Sequence, residues 1–395
     1  MLCQTWFVSV NPPRGMRDLL PLEKTKREAV LAQIRNVYQA RGFQEIETPA
    51  LEDISRLTAG QGGENEKLVF KVLKRGEELD RALADGEELA DLGLRFDLTV
   101  PLTRYYASNH SQLPRVLKAM QIGPVWRAER PQKGRYRQFL QCDIDILGES
   151  SELAELELLT ASLEALKAIG ITGATIRVND RRWLSKQLES IGISDQSKAM
   201  IAIDKLDKIG VDGVRDEIEK EFGSEVAEKV VNWLGYVATA EVPEELKWLK
   251  EISNPESFRF DATLVRGMGY YTGAIFEIEH PGSQSSIGGG GRYDNMVGQW
   301  SGTATPAVGI SLGIERILDL TGDTDSNAKM LVLLVEDDFS AALAAQKELI
   351  EQGWRVRIDR AAKNTKAQLA ELAQQGFTSF AVFKPGEKLD IRQLG

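Results

Sequence analysis

Two stretches with strand chemistry, Val116 to Trp126 and Gln138 to Leu147, flank a polar loop containing Gly134, and a connection this short joins them as an antiparallel pair. Any fold for this chain has to be built around that hairpin. Its loop is unusually basic. Arg127, Arg130, Lys133, Arg135 and Arg137 crowd into it, although the whole chain of 395 residues carries a net charge of −10. An acidic protein does not coat nucleic acid, because that binding is driven by Lys and Arg releasing counterions from phosphates. A local cationic patch for a polyanion remains open.

Around the hairpin the chain is long enough for two or three domains of roughly 100 to 200 residues each. From Pro21 to Arg41, apolar residues at Val30, Leu31, Ile34, Val37 and Tyr38 predict an amphipathic helix closed by Gly42. Phe43 to Pro49 has the look of an edge or interface strand, since Pro49 cannot continue a ladder. Gly60, Gly62 and Gly63 mark a loop, and Lys74 to Asp91 a solvated helical insertion. Ser151 to Ala168 is helical and Thr175 to Val178 strand-like. Residues 180–251 are helical almost throughout, which predicts an inserted helical subdomain. Strand chemistry returns from Phe258 to Glu279, and Ala307 to Leu320 pairs two glycines with a helical tail.

Beyond a turn-rich linker at Gly322 to Asn327, helices alternate with short apolar runs at Met330 to Val335, Arg355 to Ile358 and Phe380 to Phe383. That alternation predicts a small α/β domain over 329–395 with a largely parallel sheet. The catalytic body, 1–325, is expected to be α+β: an antiparallel sheet flanked by helices, with the helical insertion.

Several chemistries are excluded early. Only two histidines, His110 and His280, are present, which leaves little for a Ser-His-Asp mechanism or a His-rich metal site. Cys3 and Cys142 are the only cysteines, too few for a disulfide framework or a thiolate site, so no protein-held metal is expected. No apolar run reaches the ~18 residues of a membrane span. Near the start, Trp6, Phe7 and Val8 are apolar, but no Lys or Arg precedes Arg14, so the basic region of a secretory signal is missing and a cytoplasmic location is expected.

Three constellations carry chemistry. In the hairpin, the guanidinium groups of Arg127, Arg135 and Arg137 could clamp a triphosphate, while alternation along the second strand puts Phe139, Gln141, Asp143 and Asp145 on one sheet face. The bland alternative is a charged hairpin facing water. The second runs from Leu264 to Gly273 and then Ser285 to Asp294. Arg266 among apolar and glycine residues is costly to bury without an anion, though a glycine-rich turn with aromatic packing would look similar. In the third, Ala307 to Arg316, Arg316 falls in the early turns of a helix, where a surface ion pair is the plainer reading.

Taken in order, these segments resemble the motifs of histidyl-tRNA synthetases, class II aminoacyl-tRNA synthetases. The resemblance starts at Arg14-Gly15-Met16-Arg17-Asp18, continues through Phe43 to Pro49 and Leu94 to Thr99, and covers all three constellations, most of the chain. It implies a homodimer that uses ATP and Mg2+ to activate histidine and charges histidine tRNA. It implies roles too: Arg127 and Arg266 at the α-phosphate, Glu129 and Phe139 at adenine, Arg135 and Arg137 at the outer phosphates, and Arg316 at the other adenine face or the terminal phosphate. Asp97, Thr99 and Gln141 would hold the substrate ammonium. Asp145 and Tyr271 would take the imidazole nitrogens, with Tyr270 and Tyr293 packing the pocket.

The chain departs from the pattern at Gly269, where the family commonly has Asp. Its last domain resembles an anticodon-binding domain but is shorter than that resemblance leads one to expect. Two other readings share the core: the synthetase-like regulatory subunit of ATP phosphoribosyltransferase, and a non-catalytic RNA-binding module. The former lacks an intact ATP loop and an Arg266-type signature; both features stand here.

Overall fold

The apolar stripe of the first helix is realised directly, with Val30, Leu31, Ile34 and Tyr38 buried along α1 (Pro21–Ala40) and Gly42 ending it at φ +82°. The computed structural model describes residues 10–59, 67–131, 134–237, 239–252, 255–266, 269–322 and 329–394. Cys3, Trp6 to Val8, the Gly60 to Gly63 loop, Lys133, Gly267 with Met268, residues 323–327 and Gly395 lie outside the described residues.

Along the chain follow β1 (Gln44–Glu45), β2 (Leu51–Asp53), α2 (Ile54–Thr58), β3 (Phe70–Leu73), α3 (Glu77–Asp85), β4 (Ala90–Leu94) and α4 (Thr99–Asn109). Next come β5 (Leu117–Trp126), β6 (Gln138–Leu147), α5 (Leu153–Ala168), β7 (Thr175–Asp180), α6 (Arg181–Ser190), α7 (Gln196–Ile203), α8 (Leu206–Phe222) and α9 (Ser224–Val237). The body closes with β8 (Phe258–Phe260), β9 (Ala274–Glu279), β10 (Gly288–Arg292), α10 (Asp294–Ser301), β11 (Ala307–Gly313) and α11 (Ile314–Leu320).

Eight of these strands form one sheet in the order β1-β5-β6-β11-β10-β9-β7-β8. Its centre is antiparallel, and the hairpin pairs without a slip from Leu117↔Leu147 to Trp126↔Gln138. Only the outer pairs, β1 with β5 and β7 with β8, run parallel. Phe43 to Pro49 supplies just the two residues of β1, at the sheet edge.

The glycine run departs from a turn. Gly288 to Gly291 is the strand β10, hydrogen-bonded on both sides to β9 and β11. A β-carbon at Gly290 would lie 2.0 Å from the carbonyl oxygen of Gly309, so the strand packs where no side chain fits. At the end of β10, buried Arg292 donates to Glu155 of α5 at 2.5 and 2.6 Å, tying helix to sheet. Removing one partner of such a pair costs about 3–5 kcal/mol, because a buried charge is left alone.

Helices α6 to α9 gather around Leu184, Leu188, Val230 and Trp233 in their own core. The last strands and helices are β12 (Met330–Val335), α12 (Phe339–Glu351), β13 (Arg355–Arg360), α13 (Thr365–Gln374), β14 (Ser379–Phe383) and β15 (Arg392–Gln393). They form a four-stranded sheet in the order β13-β12-β14-β15, parallel except for β15. Residues 331–335 of β12 are all buried, as expected of a parallel strand covered on both faces. The chain divides into two compact units, Met1–Asp18 with Leu31–Gly322 and Leu19–Val30 with Asp323–Gly395. Among the described residues no helix is long and apolar enough to cross a membrane.

Candidate active site

The hairpin, β10, β11 and the start of α4 together line one cleft of about 1040 Å³, counting the space open to solvent. Asp97, Thr99, Arg127, Glu129, Arg135, Phe139, Gln141, Asp145, Arg266, Tyr270, Tyr271, Tyr293 and Arg316 all face it. Arg137 is not among the lining residues. Its Nε donates to the Glu129 carbonyl at 3.0 Å and its guanidinium lies 6.0 Å from the Phe70 ring, so it braces the loop.

One region of the cleft is cationic. Arg127 donates through Nε to the Phe96 carbonyl at 3.0 Å, and its guanidinium stands 5.1 Å from the centre of the Phe139 ring. Arg135 is half-exposed and pairs with Glu129 at 3.0 Å. Arg266 lies across β10, where a β-carbon at Gly289 would come within 2.8 Å of its guanidinium carbon. Its Nη1 donates to Glu277 at 2.5 Å, while its buried Nε has no partner. Arg316, on α11, donates to the Ser286 carbonyl. Burial first, and then Arg135, Arg127 and Arg266, push the Arg316 guanidinium below its ordinary range. Three guanidiniums that disfavour the charge of a fourth make a region suited to an anion.

Another region is acidic and buried. Asp97 Oδ1 accepts from the Val100 N–H at 3.0 Å at the start of α4, but its Oδ2 has no partner. Burial raises this carboxyl to about 6 against the pull of the Val100 N–H and Arg127. Tyr293 Oη donates to Asp145 Oδ1 at 2.6 Å; burial lifts Asp145 to about 7, with the Tyr293 hydrogen bond opposing and Asp97 adding to the rise. Gln141 donates through Nε2 to Ser311 Oγ at 2.6 Å and leaves Oε1 unpartnered. The rings of Tyr270 and Tyr271 meet edge-on at 4.7 Å and Tyr293 follows at 6.2 Å from Tyr270, forming an aromatic wall.

Sequence reasoning left some of the lining without a role. Glu315 accepts the Leu140 N–H at 2.9 and 3.1 Å, joining α11 to β6 beside Arg316. Ser311 and Asp143 face each other across β11 and β6, and both line the cleft. Asp143 was already placed on the period-two face of Phe139, Gln141 and Asp145, though without a role; Ser311 and Glu277 could not be found, because only strand register brings them in. Gly269 lines a second, smaller cavity rather than the cleft, and a β-carbon there would meet nothing within 4 Å.

A mainly antiparallel sheet flanked by helices, with an arginine cluster beside buried carboxylates on one face, is the architecture of a class II synthetase. The family model for histidyl-tRNA synthetase matches residues 15–317, and the chain belongs to that family. It is 48% identical to the histidine–tRNA ligase of Leifsonia xyli, with 98% of each chain covered. The crystal structure of the histidyl-tRNA synthetase of Nostoc sp. superposes with a TM-score of 0.75 at 27% identity, covering 98% of this chain and 95% of that one. An ATP phosphoribosyltransferase regulatory subunit/histidyl-tRNA synthetase from Bacillus halodurans matches with a TM-score of 0.72 over 92% of this chain and 97% of its own; at 19% identity it speaks to the fold alone.

Proposed function

We propose that the chain activates histidine with ATP to histidyl-adenylate and pyrophosphate, then transfers the histidyl group to the 3′ end of histidine tRNA with release of AMP. The observation that carries this is the division of one cleft into two charges: Arg127, Arg135, Arg266 and Arg316 beside Asp97, Gln141 and Asp145. A nucleoside triphosphate and a cationic amino acid satisfy both together; neither alone does.

The chemistry needs little from the protein beyond placement and charge. The substrate carboxylate is ionised at neutral pH, so it attacks the α-phosphorus without a general base while the bond to pyrophosphate breaks. Arg127 and Arg266 stabilise charge growing on the α-phosphate, and Arg135 and Arg316 hold the outer phosphates. Phe139 and Glu129 take adenine. Asp97, Thr99 and Gln141 receive the ammonium; Asp145 and Tyr271 read the imidazole, and Tyr270 packs beside them. Arg137 acts on the phosphates through the loop it braces.

Among the described residues no group of three or more His, Cys, Asp or Glu could cage a metal ion. Mg2+ would come in with the phosphates, with Glu315 as the protein carboxylate, and would supply charge neutralisation. The small unit containing β12 to β15 is assigned to the tRNA anticodon region, and the protein to the cytoplasm, where tRNA is charged. The open edge at β1 is placed at a two-fold interface, which sedimentation at micromolar concentration tests: a fully active monomer would refute it.

A regulatory subunit would also bind histidine but would have no use for the arginine cluster. Histidine-dependent exchange of pyrophosphate into ATP, followed by charging of a histidine tRNA transcript, separates the two. Exchange and charging are expected; histidine binding without exchange would favour the regulatory reading.

A further inference from the structure

Asp143 sits between Gln141 and Asp145 on the cleft face of β6, opposite Ser311 on β11 and Gln121 on β5. It is 3% exposed, and its Oδ1 has no hydrogen-bond partner. Ser311 faces this carboxyl across the register of β6 and β11. Gln141 presents Nε2 to Ser311 Oγ at 2.6 Å, which turns its Oε1 elsewhere. Three buried acceptors lining one cleft therefore lack donors: Asp97 Oδ2, Gln141 Oε1 and Asp143 Oδ1. An unpaired buried acceptor costs about 1–3 kcal/mol and a charged one more, so such a set is retained for a ligand that supplies the donors. An ammonium carries three N–H groups and the positive charge that two carboxylates need.

We propose that Asp143 is a further substrate-binding residue, which receives the α-ammonium of the amino acid alongside Asp97 and the Gln141 amide oxygen. This rests on the amino-acid-activating reading of the cleft. The charged and titratable groups around Asp143 are Asp145, Asp97, Arg127, Arg95, Tyr271, Tyr38 and Cys142; burial first, and Asp145 next, raise its carboxyl well above the ordinary range, and Ser311 and Arg127 oppose that rise. A bound cation reverses the balance.

The test compares histidine with its des-amino analogue, imidazolepropanoate, which differs only in lacking the ammonium. Dissociation constants for both are measured on the intact protein and on Asp143→Asn, with Asp143→Ser as the second variant should the first not fold. Histidine should weaken at least ~30-fold, the scale of a hydrogen bond to a charged group, while the analogue changes by no more than about twofold. Equal weakening of both ligands would show a merely structural role and overturn the proposal, as would no change in either. Pyrophosphate exchange in the wild type is scored separately: its absence, with the ligand difference intact, refutes the reaction and leaves the ammonium site standing.

Discussion

Asp145 Oδ1 occupies the space in which a side chain at position 309 would begin: a β-carbon on Gly309 would lie 1.8 Å from it. The register of β6 and β11 pairs these two residues, and the same oxygen accepts the Tyr293 hydroxyl at 2.6 Å. Glycine at 309 is thus what lets the carboxylate lie flat against β11 and face the cleft.

Gly309→Ala should therefore leave the fold largely intact, since the displaced atom is the end of a side chain, yet move Asp145 off Tyr293. The KM for histidine in pyrophosphate exchange is expected to rise at least ~10-fold, the scale of one lost hydrogen bond to a charged group, with the KM for ATP little changed. Parallel rises in both constants would mean that the whole sheet, not the carboxylate, had moved.

Asp145→Asn keeps the shape but turns an acceptor-only group into one that also carries an amide donor, so it no longer attracts a protonated ring and can select the wrong tautomer. A site that pairs both imidazole nitrogens rejects side chains lacking them, because its own groups are then left buried and unpaired. Exchange rates with histidine, glutamine, asparagine and phenylalanine should show strong preference for histidine in the wild type and a narrowed margin in the variant. An unchanged margin would remove Asp145 from recognition.

Stability should depend on pH in a definite direction. Asp97 stands at about 6 and Asp145 at about 7, both above the ordinary 3.8, so between these values the folded chain binds protons that the unfolded chain does not. Stability of the ligand-free protein then falls as pH rises through the window from about 4 to 7. Asp97 faces Arg127 and Tyr270, and Asp145 faces Tyr293, Asp97 and Asp143, so among the described residues no cation beside Asp145 cancels the effect there. Thermal melts from about pH 5.5 to 8 should decline in the wild type and decline less in Asp145→Asn. A flat wild-type profile would contradict the burial argument.

Much of this architecture could be read from residue order alone, because periodicity reports which face is buried. The hairpin of β5 and β6 follows from its apolar strands, and the alternation of Phe139, Gln141 and Asp145 already places them on one face. Gly288 to Gly291 was less legible: local chemistry favours a turn, and the strand exists because β9, β11 and Arg266 press against it from outside the segment. Arg137 was expected among the phosphates for its charge, yet its Nε is engaged by the Glu129 carbonyl, a backbone contact that no charge pattern encodes. Ser311, Glu277 and Glu315 acquire meaning only through partners far along the chain.

Glu277 shows why Arg266 merits the last test. Its carboxylate is shared between Arg266 at 2.5 Å and Arg177 at 3.2 Å, so Arg266 is held by a network rather than by the substrate. A cation already in place when charge develops on the α-phosphate needs no reorganisation, which is where such groups contribute most. Arg266→Ala should leave histidine and ATP binding broadly intact and lower the exchange rate at least ~100-fold, the usual scale for one preorganised contact. Arg266→Lys keeps the charge but not the planar fork that spans Glu277 and the cleft, so it should recover only part of the loss. Glu277→Gln, which loosens the hold without removing the cation, should reduce the rate by a smaller factor and leave both KM values close to wild type. Full activity in Arg266→Ala would take this residue out of the chemistry and assign the α-phosphate to Arg127 alone.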